Sequence, residues 1–175
     1  MTFWEGDIAV MLKIRNLRIG GGSSGEADLA CLPIHYSGSS IKGLLRKSAR
    51  RVANSIDTES YEEKFFGSPN KEGKVQVIML NSAGEKRIRH GIKIDPRFLS
   101  VSHGHLFSYE YTTIERLSFV LRPVFRLSVE EAKFLYYTLN FLRYESIGGF
   151  GSRGIGLIED LEIQREFVEF VGGLL

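Results

Sequence analysis

Apolar residues recur with a period of two in some segments and near four in others, and the order of those segments constrains the fold. Asp7–Leu17 alternates, with Ile8, Val10, Leu12 and Ile14 on one side and Ala9, Met11, Lys13 and Arg15 on the other, which predicts a strand. A helix follows, capped by Ser39 or Ser40, with Ile41, Leu45, Ala49, Val52 and Ile56 on its apolar face. Lys74–Leu80 reads as a second strand and Leu117–Leu127 as a third, ended by Ser128. Val129–Tyr144 is a second helix that buries Ala132, Leu135, Leu139 and Leu142, and Ile155–Ile163 is a fourth strand. The order β-α-β-β-α-β predicts an α+β, ferredoxin-like domain, an antiparallel sheet with two helices on one face. Between these elements, Gly20–Gly25 is a loop, short extended pieces run to Ile34, and Phe65-Phe66-Gly67 closes a short connection. Asn81–Tyr111 carries basic, Gly and His residues with little periodicity, and is expected to be an inserted loop or hairpin.

The 175 residues fit a single domain, 1–175, with the insertion at about 81–111. Twelve Phe and seven Tyr supply enough apolar bulk for a core, which excludes global disorder. A net charge of +2 means that any affinity for nucleic acid must come from local clustering. The lone Cys31 has no partner for an internal disulfide and suggests a reducing, cytoplasmic setting. No apolar run approaches the roughly 20 residues that span a bilayer, and Met1–Gly6 shows no signal-peptide pattern, so no membrane partner is expected.

Two glycine-rich basic segments carry the chemistry. Gly38-Ser39-Ser40-Ile41-Lys42-Gly43-Leu44-Leu45-Arg46 opens the first helix, and Gly148-Gly149-Phe150-Gly151-Ser152-Arg153-Gly154-Ile155-Gly156 precedes the last strand. Each pairs approachable backbone N–H groups with a cation, as a phosphate chain requires. Lys42, Arg46 and Arg50 form a stripe spaced by four, Lys47 and Arg51 lie beside it, and no acid occurs between Ser39 and Ile56. The stripe therefore has no neutralising partner on its own helix. Ser39, Ser40, Lys42, Arg46 and Arg50, with Gly149, Ser152 and Arg153, are the candidate nucleic-acid-binding residues; a merely solubilising surface and a plain tight turn are the competing readings. Phe150 suits stacking on a base or facing the core equally. His35, His90, His103 and His105 read as ordinary loop histidines, because His103-Gly104-His105 has no Cys or acidic partner at ligand spacing.

In order along the chain, these segments resemble a known family. The first looks like the GSSLKGxLR signature of the RAMP superfamily of CRISPR-associated proteins, and Phe65-Phe66-Gly67 is similar to its LFG. Ile94-Asp95-Pro96-Arg97, with Leu106-Phe107 and Glu110, resembles its IDRxTG…LF..E segment, and the second glycine-rich segment resembles its GGxxSRGxG loop. The nearest likeness is to the repeated backbone subunits of type III effector complexes. That resemblance implies a modified RRM-like fold, binding to CRISPR RNA and target RNA, contact with other effector subunits, and head-to-tail self-association. It also implies a catalytic aspartate in the loop after the first strand, at the position of Asp28, cutting target RNA with Mg2+ or another divalent cation needed for cleavage only. By its residues alone, Asp28 is a turn aspartate; Glu26 is a lesser candidate. Asp95, Pro96 and Arg97 are expected to shape the base of the insertion, with Arg97 free to touch RNA or not. Two further readings remain: a stand-alone endoribonuclease that processes CRISPR transcripts with His35 as base, and a non-catalytic structural subunit.

Overall fold

A computed structural model of the chain describes residues 3–21, 26–55, 60–68, 70–80 and 83–173. In chain order the elements are β1 (Phe3–Trp4), β2 (Ile8–Ile14), α1 (Gly38–Ser55), α2 (Ser60–Phe66), β3 (Val75–Met79), β4 (Glu85–Asp95) and β5 (Ser100–Thr113). They continue with β6 (Arg116–Pro123), β7 (Leu127–Ser128), α3 (Val129–Phe141), β8 (Ile158–Ile163) and α4 (Arg165–Gly172).

The central sheet has the order β3-β6-β2-β8, antiparallel throughout. Taking β2, β3, β6 and β8 as its four strands, with α1 and α3 as the helices, gives the ferredoxin-like arrangement. Register follows burial. Val10 faces Phe119 and Ile163, Leu12 faces Leu117 and Leu161, and these side chains pack under α1 and α3. Ile41, Leu45 and Ala49 from α1, and Ala132, Leu135 and Leu139 from α3, close the core from above. The opposite face of the sheet carries Ala9, Met11, Lys13, Gln76, Ile78, Ser118, Val120, Asp160 and Glu162, with no aromatic among the described residues. The stacking platform of an ordinary RRM sheet is therefore missing.

The described helix α1 begins at Gly38, continuing a 3-10 turn at Ile34–Ser37, so Ser39 and Ser40 lie inside its first turn rather than capping it. The connection at Phe65-Phe66-Gly67 is the end of α2, which Tyr61, Phe65 and Phe134 anchor as an aromatic cluster with centroids 5.0–6.2 Å apart. The third strand is broken. Pro123 ends β6, having no N–H for the ladder, and β7 pairs with β1 instead. Ser128 then caps α3 through a capping box with Glu131. The 81–111 insertion is the hairpin β4–β5, paired from Glu85–Thr113 to Asp95–Ser100. Among the described residues, no helix is long and apolar enough to cross a membrane.

Candidate nucleic-acid interface

Topology gathers the two glycine-rich segments at one end of the sheet. β2 and β3 finish there, and β6 and β8 start there. The start of α1 sits beside Met79, the last residue of β3. The glycine-rich loop enters β8 at the same end, and the hairpin rises between β3 and β6.

At the start of α1, a groove of about 890 Å3 is lined by Ser39, Lys42, Ser68, Asn70, Lys71 and Gln76, among others. Lys42 is exposed and forms no ion pair among the described residues. Farther along α1 the cations meet acids from other elements. Arg46 and Arg50 both donate to Glu62 of α2, at 2.8 Å from each Nε, and Arg46 also donates to the carbonyl of Gly67. The two arginines hold the Glu62 carboxyl below its usual range, with Arg50 contributing most. Lys47 and Arg51 both reach Glu145. The acid absent from the helix is thus supplied by the fold.

The glycine loop is stitched to the segment that leaves β2. The Gly149 N–H donates to the carbonyl of Arg18 at 2.8 Å, and the Gly156 N–H donates to the carbonyl of Asn16 at 3.0 Å. Gly148 must be glycine: its φ is +76° and a Cβ there would run into the Arg18 backbone. Phe150 adopts φ 67°, a left-handed conformation costing a non-glycine residue about 1 kcal/mol. That twist presents its ring to two guanidinium groups, with Arg18 Cζ at 4.7 Å and Arg153 Cζ at 4.6 Å from the centroid. Tyr109 meets the same ring edge-on at 4.9 Å. Arg153 also lies over Phe107, at 5.3 Å, and pairs with no carboxylate among the described residues. Ser152 is exposed beside it.

Asp28 is bound to β5 at Ser108, the neighbour of Tyr109. Its Oδ2 accepts from the Ser108 N–H at 2.6 Å and from the Ser108 hydroxyl at 3.0 Å, and the Asp28 N–H donates back to that hydroxyl. These bonds, the Ser108 N–H first, hold the Asp28 carboxyl below its usual range, with a smaller contribution from His90. His90 is exposed on β4, directly across from Ser108. It also lines a small pocket with Arg89, Tyr109 and Arg153. Glu26 is exposed nearby in sequence, while the side chains of His35, His103 and His105 lie outside the described residues. Asp95, Pro96 and Arg97 form the tip of the hairpin, not its base: the Asp95 carboxylate accepts from the Arg97 N–H at 2.8 Å, a turn that reverses the chain.

No group of three or more His, Cys, Asp or Glu side chains among the described residues is placed to hold a metal ion. Asp28 alone offers one carboxylate, so a hard cation there would complete its shell with water and phosphate oxygens, a pattern Mg2+ accepts.

Sequence reasoning missed Arg18, Ser108 and Tyr109. Nothing in Leu17-Arg18-Ile19 marks a site; only the contacts with the glycine loop do.

No curated protein sequence matches the chain. Its fold is similar to that of a chain in "Type III-B Cmr-beta Cryo-EM structure of the Apo state", with TM-score 0.66 and 15% identity over 92% of this chain and 98% of that one. It is equally similar to a chain in "Cryo-EM structure of the Type III-B Cmr-beta bound to cognate target RNA", with TM-score 0.67, 15% identity and the same coverage. The family model of the RAMP superfamily matches residues 15–159. Taken with the two glycine-rich segments and their shared end of a ferredoxin-like sheet, that match establishes that the chain belongs to the RAMP superfamily.

Proposed function

We propose that the protein is an RNA-binding subunit of a CRISPR type III effector complex, working in the cytoplasm beside other effector subunits. The observation that carries this reading is the convergence of the α1 start and the glycine loop at one end of the sheet, where Lys42 and Arg153 keep their charge unpaired among the described residues. A CRISPR RNA would run along that rim, its phosphates met by Ser39, Ser40 and Lys42 on one side and by Ser152 and Arg153 on the other, with Gly149, whose N–H is already given to Arg18, allowing close approach of the strand. Arg46 and Arg50 would add weaker contacts from donors not engaged by Glu62. The bases would be left free to pair with target RNA, so that sequence is read by pairing and the protein reads phosphate and shape. The likeness to a complex described as bound to cognate target RNA supports such a partner. Copies would associate head to tail along the RNA.

Cleavage of target RNA at Asp28 is part of the proposal. Asp28, fixed by Ser108, would orient the attacking 2′-hydroxyl or carry a divalent cation. When bound, Mg2+ would neutralise charge building on the scissile phosphate. Asp28→Ala should abolish cleavage and leave guide affinity within a few-fold; cleavage that survives removes Asp28 from the mechanism. Reversing charge at Lys42 and Arg153 together should abolish retention of single-stranded RNA, and unchanged retention would sink the RNA reading. Native mass measurement with and without RNA reports the head-to-tail association.

A second reading has one observation behind it. His90 stands across from Ser108, within electrostatic reach of Asp28, as acid–base cleavage without metal would need. Cutting that persists in chelator and is lost in His90→Ala would favour a stand-alone endoribonuclease; no cutting under any condition leaves a structural subunit.

A further inference from the structure

Arg18 is buried to 8% exposure, yet no carboxylate pairs with it among the described residues. Its Nη2 donates to the Ala30 carbonyl at 3.4 Å, a long contact, and its Nε has no hydrogen-bond partner. A guanidinium has five N–H donors, and leaving a buried cation so poorly matched is unfavourable unless an anion completes the site. Glycine leaves room on one side of the guanidinium. A Cβ on Gly149 would lie 3.0 Å from Arg18 Nη1, so the missing side chain leaves space beside that nitrogen. Arg153 also lies over the Phe150 ring, and no carboxylate pairs with it among the described residues.

We propose that Arg18 is a phosphate-binding residue, held with Arg153 on the Phe150 ring beneath the glycine loop to receive the phosphodiester backbone of single-stranded RNA. This rests on the RNA-binding reading and adds to it a buried anchor that no motif names. The ring fixes both cations without cancelling either, because a cation–π contact attracts a charge but does not neutralise it. The buried guanidinium is also prepaid in order: its side chain is already immobilised, so little rotamer freedom is lost on binding.

The test is the salt dependence of binding of a labelled single-stranded RNA to the full chain, by fluorescence anisotropy over a KCl series. Each phosphate neutralised on a single strand adds about 0.7 to the log–log slope. Arg18→Gln should lower the slope by about that amount and weaken binding about tenfold, and Arg18→Lys should restore most of the slope. Gly149→Ala, at a residue outside the positive-φ set, should weaken binding by crowding Nη1 while leaving the charge in place. A folded Arg18→Gln with the wild-type slope overturns the proposal and makes Arg18 a packing residue. Where Arg18→Gln does not fold, Gly149→Ala decides, and wild-type affinity there overturns the proposal equally. Failure of the wild-type chain itself to bind RNA removes the RNA reading, and this inference with it.

Discussion

In the helical layer, three buried glutamates each take two cations: Glu62 holds Arg46 and Arg50, Glu145 holds Lys47 and Arg51, and Glu131 holds Lys64 and Lys74. At the glycine-loop corner, Arg18 and Arg153 share a phenylalanine instead. Both arrangements fix basic side chains against an apolar body. In the first the charge is cancelled inside the fold; in the second no carboxylate among the described residues cancels it. Six basic residues thus contribute to holding helices together, while two place a net field where the loop, hairpin and strand ends meet. Counting cations along a helix therefore overstates the field it presents, because the neutralising acids arrive from distant parts of the chain.

Acid should expose this difference most. In the helical layer, burial alone would push the Glu131 carboxyl up, but hydrogen bonds from Lys64, Lys74 and the Ser128 N–H hold it at about 2, against 4.5 when free. Its contribution, about 3 kcal/mol by linkage, is complete above pH 4.5 and is lost as pH falls from 4.5 toward 2. Urea unfolding across that window should show the loss, and Glu131→Gln should flatten it. Next in size, Glu62→Gln should cost about 2 kcal/mol, less than a fully buried pair because both arginines are partly exposed. Freed from Glu62, Arg46 and Arg50 should also raise RNA affinity several-fold at low salt; an unchanged affinity would break the contrast drawn above. Arg153→Gln should weaken RNA binding about tenfold with little change in melting temperature. Arg50→Gln, removing a cation already engaged, should change binding by less than about threefold. The smallest effect is local: Ser108→Ala removes the hydroxyl but keeps the N–H that contributes most, so the Asp28 carboxyl should rise only part of the way toward 3.8 in an NMR titration, leaving RNA affinity unchanged.

Much of the fold was legible because one-sided burial writes itself into spacing. Ile8, Val10, Leu12 and Ile14 alternate because β2 has one covered face, and Ala132, Leu135 and Leu139 follow α3's buried stripe. The hairpin escaped periodicity for the converse reason: β4 is exposed almost throughout, so neither face selects apolar residues. The short helix α2 spans too few residues to show a period, and its identity rests on Phe65 meeting Phe134 far along the chain. At the site, the two glycine-rich segments were visible as motifs. Their partners were not, since Asp28 meets Ser108 across 80 positions and Lys47 meets Glu145 across 98. Pairings of that range belong to topology, not to local pattern.

The outer hairpin has a consequence of its own. Phe98 and Leu99 at its tip are 76% and 84% exposed, and the hairpin is tied to the rest at its root through bridges from Leu17 to Thr112 and from Leu29 to Tyr109. Residues that bury so little surface add little to global stability. The tip can therefore be lengthened, shortened or respelled with little effect on the melting point, whereas the buried Tyr109 and Thr112 at the root cannot.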